Sequence, residues 1–466
     1  MNKLNLNTIL FVTLLFTAFI LKGQESITPP NFIFYLADDQ DQLDYGAYGN
    51  PKVHTPSVDQ LVKEGMKFTN FYTSQSICAP SRSQLFTGMY PVKNGCMANH
   101  LPVKKDLKTV IDYLEAKGYE VVLAGKSHVK PNSVFKWTHY FDSINHRYLP
   151  LEAIDSYLAK VKKPFCLFVT SDFPHGPYPK DGDYTKNDIY TLPYNGRYIP
   201  NYKPGYYQNI KDDNAQLEAV LGMVDSYGLR ENSIFIYASD HGISGKWGVS
   251  EQGLKIPFVV RWPGVVKPGS TSQTMLSLVD VLPTFLDIAG SEIDTTIDGK
   301  SFYKTLQGDE SNVNDYIFSL ATKQNIQACK VFPTRAVRGK RYKFIRNYNA
   351  LEVHESNFGE NSVINSFIKI GAESFPMVPY EELYDLENDP YQKINLIKNS
   401  KFDAVKSQLS EVLYTWMVSQ DDFLISNQMP LIKPTLHPLD RNSKWNKVSE
   451  ENLKGLKSND YIKSHY

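Results

Sequence analysis

Residues 32–39 read Phe32-Ile33-Phe34-Tyr35-Leu36-Ala37-Asp38-Asp39, an apolar run of strand length that ends in two aspartates. Aromatic and β-branched residues in a run of this length favour a β-strand. Comparable runs recur along the chain and alternate with helical patterns, which predicts an α/β fold with a large, mostly parallel sheet between helices. The further predicted strands are Tyr119–Leu123, Phe165–Thr170, Ile234–Ala238 and Pro257–Arg261.

Helical patterns occupy the segments between these strands. They are Ser57–Lys63, Leu107–Lys117, Asn214–Tyr227 and Leu278–Ile288, and we expect the last to break near Pro283.

The alternation of strand and helix patterns ends near residue 320. A hairpin is predicted from Thr334–Val337 and Tyr342–Arg346, and a helix follows with apolar residues at helical spacing between Val405 and Trp416. We therefore predict a large α/β domain over residues 24–320 and a smaller C-terminal α+β subdomain over residues 321–466.

The first 23 residues have the pattern of a secretory signal peptide. Lys3 lies in a short polar start, an apolar stretch runs from Ile9 to Leu21, and the small Gly23 precedes the expected cleavage point. The apolar stretch is shorter than the roughly 20 residues that cross a bilayer. We expect an exported soluble protein, periplasmic or secreted, with no membrane contact after the signal is removed.

Charge and cysteine content exclude some classes of protein. Lysine plus arginine and aspartate plus glutamate both number 50, so the formal net charge is zero and gives no electrostatic argument for a nucleic-acid partner. The four cysteines are Cys78, Cys96, Cys166 and Cys329, too few for a disulfide framework. Cys166 lies in an apolar run and is predicted to be buried.

Polar side chains follow four of the predicted strands. Ligands of such sheets bind outside the carboxyl ends of the strands, so these side chains are expected to meet at one edge. Polar residues after a single strand more often form a turn or a helix cap, but polar residues after four strands favour a functional site. The segments are Asp38-Asp39, Gly125-Lys126-Ser127-His128, Ser171-Asp172-Phe173-Pro174-His175 and Ser239-Asp240-His241-Gly242.

One further stretch carries specific chemistry. Residues 76–88 read Ser76-Ile77-Cys78-Ala79-Pro80-Ser81-Arg82-Ser83-Gln84-Leu85-Phe86-Thr87-Gly88. Their Cys-x-Pro-Ser-Arg pattern resembles the signature of the formylglycine-dependent sulfatases of the alkaline phosphatase superfamily. The resemblance implies that a maturation enzyme, either formylglycine-generating or radical, oxidises Cys78 to an aldehyde, formylglycine.

The carboxylates at the strand ends predict a metal site. Asp38, Asp39 and Asp240 suit a hard divalent cation, calcium first, with magnesium or manganese as alternatives. The resemblance implies calcium at these positions, with His241 and the converted Cys78 completing the ligand set. Imidazole is a softer ligand, which also leaves zinc open.

The resemblance also implies a reaction sequence. A hydroxyl of the hydrated aldehyde attacks sulfur, with Asp240 as an acceptor of its proton. Arg82, one helical turn after Cys78, steadies the hydrate. His128 then acts as the base that expels sulfate from the enzyme.

Sulfate binding and leaving-group protonation fall to other residues. Lys126 and Lys246 match the family's sulfate-binding lysines. Either Lys246, with a depressed pKa, or His175 protonates the departing oxygen. His100 is a candidate contact to the sugar, although a loop histidine of this kind also fits a simple polar surface.

The chain also resembles heparan N-sulfatase, or sulfamidase, in the stretches Gly125-Lys126-Ser127-His128-Val129-Lys130-Pro131 and Glu382-Leu383-Tyr384-Asp385. His241 stands where that enzyme has Asn, and the surroundings of Lys246 look more like the O-sulfatases. The expected substrate is therefore a sulfate ester on a sulfated polysaccharide or its oligosaccharides, algal such as ulvan or carrageenan, or glycosaminoglycan. The alternatives are an N-sulfoglucosamine sulfohydrolase, a phosphate mono- or diesterase of the same superfamily, and a sugar-binding protein with unconverted Cys78.

Overall fold

The computed structural model describes residues 29–191, 201–322, 333–348 and 379–426, together with a short strand pair at residues 431–432 and 461–462. The predicted signal peptide, residues 1–23, and Cys329 lie outside the described residues. None of the helices in the described ranges has both the length and the apolar composition needed to cross a membrane.

A mixed sheet of nine strands forms the centre of the described structure. Its strands are β1 (Asn31–Asp38), β2 (Met66–Tyr72), β3 (Glu120–Gly125), β4 (His139–Phe141), β5 (Phe165–Pro174), β6 (Ser233–Ser239), β7 (Lys255–Arg261), β8 (Ser270–Ser272) and β9 (Leu276–Ser277). Their order is β4-β3-β5-β1-β6-β7-β2-β8, and β9 also pairs with β2. The first five strands in this order are parallel, whereas β7 runs antiparallel to both of its neighbours. The prediction of a mostly parallel α/β sheet is confirmed.

Helices cover both faces of this sheet. In chain order, the α-helices of the described residues are α1 (Pro56–Glu64), α2 (Cys78–Thr87), α3 (Pro91–Asn94), α4 (Val110–Glu115), α5 (Leu151–Leu158), α6 (Lys203–Ser226), α7 (Glu251–Leu254), α8 (Val281–Ile288), α9 (Tyr303–Leu306) and α10 (Asp403–Ser419), the last of which lies outside this sheet.

Alternate residues of each central strand face opposite layers of helices, as the two-residue period of a strand requires. Phe32 and Phe34 of β1 pack in one core cluster with residues of α4 and α8. Ile33 and Tyr35 pack in a second cluster with residues of α1, α5 and α6. Cys166 is fully buried in the first cluster, which confirms its predicted place in the core.

The predicted break near Pro283 is wrong. A 3-10 turn at Leu278–Asp280 precedes α8, and α8 continues through Pro283. Pro283 lies in the first turn of the helix, where the backbone N–H groups have no partner within the helix. Proline is therefore tolerated there, and the irregularity precedes it.

A four-stranded antiparallel sheet forms the predicted C-terminal subdomain. Its order is β10 (Ile317–Thr322), β11 (Pro333–Arg338), β12 (Tyr342–Asn347) and β13 (Glu381–Asp385), and α10 packs against it. The predicted boundary at residue 320 falls inside β10, so the small sheet begins earlier, at Ile317.

Candidate active site

Three elements bring their ends together at one point. β1 ends at Asp38, β6 is followed by Asp240 and His241, and α2 begins at Cys78. The Cys78 sulfur lies 3.5 Å from Asp38 Oδ1, 3.3 Å from His241 Nε2 and 4.0 Å from Asp39 Oδ1. All five residues are buried. The structure thus brings together the residues predicted as metal ligands.

The donor set fits a divalent cation. One ligand atom from each of Asp38, Asp39, Cys78 and His241 lies within 4.8 Å of the others. Asp240 is outside this group of four, but its Oδ1 lies 3.8 Å from His241 Nε2. Burial acts to raise the pKa of Asp38, but Lys126 and Arg82 outweigh it and hold that pKa well below its usual range. Buried carboxylates this close repel one another, and a cation between them would relieve the repulsion.

Arg82 holds two of these carboxylates in place. Its fully buried guanidinium donates to Asp38 Oδ2 at 3.1 Å and to Asp240 Oδ2 at 3.2 Å. A third bond, of 2.8 Å, goes to the carbonyl oxygen of Lys126. Arginine presents its donors in a rigid planar fork, so this contact fixes the ends of β1 and β6 relative to α2. The observed partners of Arg82 are therefore carboxylates and a backbone carbonyl.

Lys126 enters the site immediately after β3. Gly125 has a φ of 109°, and a Cβ there would collide with the carbonyl oxygen of Thr170, so the close approach of β3 and β5 requires glycine. The Lys126 ammonium forms ion pairs with Asp38 and, at 2.8 Å, with Asp172 Oδ1. Its side chain retains 17% exposure, which lets the charge face an incoming anion.

Lys246 and His175 lie on the side of Asp39. Lys246 Nζ donates to Asp39 Oδ2 at 2.7 Å and lies 3.9 Å from the Cys78 sulfur, and His175 Nε2 lies 3.7 Å from Asp39 Oδ2. Burial acts to lower the pKa of Lys246, but Cys78 and the aspartates outweigh it and raise the pKa above its ordinary value. The depressed pKa expected for Lys246 is not found with these partners.

His128 pairs with His100. Nε2 of His128 lies 3.1 Å from Nδ1 of His100, and Nδ1 of His128 is buried without a hydrogen-bond partner among the described residues. Burial, with Lys126 and His100 nearby, holds the pKa of His128 well below its ordinary value. His128 is therefore neutral near pH 7 and able to accept a proton. His100, expected as either a sugar contact or polar surface, lies beside this group.

An unmodified thiol is poorly suited to nucleophilic chemistry at this position. Burial, reinforced by Asp38, raises the pKa of Cys78 well above its ordinary value. The thiolate is the reactive form of cysteine, and this environment disfavours it. With several aspartates already present, the site disfavours a further negative charge at position 78.

Comparison with known proteins identifies the family. Residues 30–291 match the family model described as Sulfatase, and residues 239–358 match that of the N-sulphoglucosamine sulphohydrolase C-terminal region. An ulvan-active sulfatase of Formosa agariphila is 48% identical over 449 residues, covering 93% of this chain and 90% of the relative. The chain belongs to the sulfatase family.

Solved structures share the fold of this sulfatase. BT4656 in complex with its substrate D-glucosamine-2-N,6-O-disulfate gives a TM-score of 0.67 at 20% identity, covering 85% of this chain and 99% of that one. The phosphonate monoester hydrolase of Agrobacterium radiobacter gives 0.64 at 17% identity, covering 84% and 96%. The chain is a type I sulfatase of the alkaline phosphatase superfamily, and thus a sulfuric ester hydrolase.

Two residues of the sulfatase site were not predicted. Asp172 binds Lys126, and Arg147 donates to Asp172 Oδ2 at 3.2 Å and to the carbonyl of His175 at 2.6 Å. Arg147 also lies 3.8 Å above the Phe173 ring. Asp172 belongs to a polar strand end that the sequence singles out, whereas Arg147 lies in a loop without any such signal.

Proposed function

We propose that this sulfatase is exported and removes sulfate from sugars of a sulfated polysaccharide or its oligosaccharides, with ulvan as the first candidate. The observation that carries the proposal is the convergence of Cys78, three buried aspartates, His241 and two lysines at one sheet edge. The similarity to an ulvan-active sulfatase supports the choice of polysaccharide. Carrageenan and glycosaminoglycans remain candidate substrates.

The nucleophile and the ion are assigned to the buried cluster. Conversion of Cys78 to formylglycine would supply the hydroxyl that attacks sulfur. Calcium, held by Asp38, Asp39, Asp240, His241 and residue 78, would supply positive charge that stabilises the ionised hydroxyl. Arg82 orients Asp38 and Asp240 for this purpose, and with Lys126 it holds the pKa of Asp38 well below its usual range.

Lys126 and Lys246 flank position 78 and are proposed to bind the sulfate oxygens. Each carries a compact charge, suited to an oxyanion approached from several directions. Each is also anchored by a carboxylate, Asp172 for Lys126 and Asp39 for Lys246. Preorganised charges of this kind lose little energy to reorientation when the transition state forms.

Lys246 and His175 are the two candidates for the acid that protonates the departing oxygen. Both approach Asp39, and the His175 side chain is the more exposed of the two, at 36%. Lys246→Met and His175→Gln distinguish them on sulfates with good and poor leaving groups. Loss of the acid slows poor leaving groups selectively, whereas loss of a sulfate-binding charge slows both.

A substrate panel tests the proposal. Purified mature protein is offered ulvan, carrageenan and glycosaminoglycan oligosaccharides, and released sulfate is measured beside the Cys78→Ala protein. We expect release from the ulvan oligosaccharides and a background rate for Cys78→Ala. Faster cleavage of phosphate esters than of matched sulfate esters would overturn it.

A second candidate is cleavage of N-sulfate from glucosamine. The match of residues 239–358 to the N-sulphoglucosamine sulphohydrolase C-terminal model favours it. Release of sulfate from N-sulfoglucosamine but from none of the O-sulfated sugars would select this candidate.

Maturation and export are tested in the native host. The peptide that contains residue 78 should show the mass loss of aldehyde formation, and the mature chain should begin near Gln24 in the periplasmic or secreted fraction. An intact cysteine in that peptide would favour the sugar-binding alternative.

A further inference from the structure

A cavity lies between the central sheet and the small C-terminal sheet, apart from the metal-ligand cluster. It has a volume of about 200 Å³, and its lining includes Glu251, Gln252, Lys255, Arg338 and Tyr391. A single water needs roughly 10–15 Å³ of such space. Lys255 is partly exposed, so the cavity can be reached from solvent. The space accepts a ligand considerably larger than water.

Positive charge exceeds negative charge around this cavity. Glu251 forms an ion pair with Lys343 at 2.9 Å and another with Arg338 at 3.4 Å. The Lys255 ammonium forms neither a hydrogen bond nor an ion pair with any described residue, although Glu251 acts on it at longer range. Three cations thus share the charge of one carboxylate.

The second carboxylate of the lining, Asp41, does not cancel this excess. It accepts hydrogen bonds from the backbone N–H of Ser244 at 2.9 Å and from the Ser244 hydroxyl. Lys203 lies 3.8 Å from it and forms a shorter ion pair, of 2.9 Å, with Asp44. Asp41 therefore shares one cation with Asp44 and has two hydrogen-bond donors. The cations Lys203, Lys255, Arg338 and Lys343 still outnumber the carboxylates Glu251, Asp41 and Asp44 by one.

Arg338 adds a buried donor that forms an ion pair with Glu251 but no hydrogen bond with a described residue. The residue is 8% exposed, and its Nε makes no hydrogen bond within the described structure despite the nearby Glu251. Burial also lowers the pKa of Lys255, and Glu251 offsets this effect only in part. A buried donor and a partly compensated ammonium beside one cavity favour an anionic ligand.

We propose that this cavity binds a small oxyanion, with Lys255 and Arg338 as its principal contacts. The chemistry shared by the candidate ligands is a sulfate group, either as the free inorganic ion or as a substituent of a sugar. Neither contact belongs to the active site, and the lining residues Glu251 and Gln252 follow the loop that carries Lys246 along the chain.

Thermal unfolding measured with increasing sodium sulfate tests the proposal, with sodium chloride at equal ionic strength as the reference. The wild-type Tm should rise with sulfate, because a ligand bound by the folded state stabilises it. Lys255→Met should raise the apparent Kd at least about tenfold, in line with the loss of a hydrogen bond to a charged group. Lys255→Arg keeps the charge and should retain most of the rise.

The active site also binds sulfate under the proposed function, and this binding would contribute to the rise in Tm. The Lys126→Met variant weakens that contribution. In Lys126→Met the Lys255-dependent rise should persist. An equal sulfate-dependent rise in wild type and Lys255→Met, or none above chloride in wild type, would overturn the proposal.

A second experiment distinguishes a sulfated sugar from free inorganic sulfate as the ligand of the cavity. In the Cys78→Ala protein, a sugar monosulfate is compared with the same sugar without sulfate. A Lys255-dependent rise with the sugar monosulfate assigns the cavity to the carbohydrate. A rise with inorganic sulfate alone assigns it to the free ion, the product of the reaction.

Discussion

His128 combines partial burial, a lowered pKa and a histidine neighbour, which suits a residue that removes one proton per turnover. We predict that His128→Gln lowers turnover by about 10²–10⁴-fold, as for loss of a general base. The slow step should then be release of sulfate from the enzyme. Mass spectrometry of the peptide containing residue 78, quenched during turnover, should show retained sulfate.

His100→Gln is the matched control for this prediction. His100 contacts His128 at 3.1 Å without approaching Cys78 in any described hydrogen bond, so its loss should slow turnover less and retain less sulfate. A sulfate-free peptide in His128→Gln, together with slow turnover, would assign the base to another residue.

Residue type and position after a strand are enough to predict Asp38, Asp39 and Asp240 as ligands, whereas His241 follows from the family resemblance. The pairing of His100 with His128 was not predictable in the same way. Both residues lie in the left-handed region of backbone conformation, with φ of 70° and 56°. This region is uncommon for residues other than glycine. Loop paths of this kind depend on tertiary contacts, and so does the reach of Arg147 to His175.

Helix α6 carries a buried carboxyl against the central sheet. Asp213 Oδ1 accepts a hydrogen bond of 2.8 Å from Tyr35, and burial raises the pKa of Asp213 to about 7. An unfolded chain titrates this group near 3.8. Between these values the folded state binds more protons, so the contribution of Asp213 to stability is full below about pH 4 and is lost as pH rises through about 7.

We predict that Asp213→Asn loses less stability than wild type when pH rises from about 5 to about 8. Asparagine cannot ionise, so the cost of a buried charge disappears, while its amide still accepts the bond from Tyr35. Chemical unfolding at a series of pH values measures the effect. Glu218→Gln, on an exposed face of the same helix, should follow the wild-type slope. A wild-type slope in Asp213→Asn would contradict the assignment.

The elements show where sequence patterns are informative. Strands β1, β3, β5 and β6 are apolar runs with central positions in the sheet, and all were predicted. Strand β2 was not, because its sequence Met66-Lys67-Phe68-Thr69-Asn70-Phe71-Tyr72 mixes polar residues with apolar ones beside the edge strands. The antiparallel direction of β7 was not predictable, because strand composition carries no such information and residues 240–254 form a connection long enough for either direction.

At the scale of the whole molecule, the proposed calcium site joins β1, β6 and α2. An ion bound only by the folded state stabilises it by mass action. We predict that dialysis against a chelator lowers both the rate of sulfate release and the Tm, and that added calcium restores both more fully than magnesium or manganese. Unchanged rate and Tm in protein shown by elemental analysis to contain no metal would contradict the assignment.

The ion pairs of Glu251 connect the central sheet to the small sheet, although their strands lie far apart in the sequence. Glu251 begins α7, which follows the loop that carries Lys246. Its partners Arg338 and Lys343 belong to β11 and β12 of the small sheet. A protein truncated before β10 would lose both ion pairs and uncover the apolar residues Tyr72, Val249 and Leu254, which share a core cluster with the small sheet. The α/β domain is therefore a poor candidate for separate expression, and an engineered minimal enzyme would have to retain the small sheet or redesign the surroundings of Glu251.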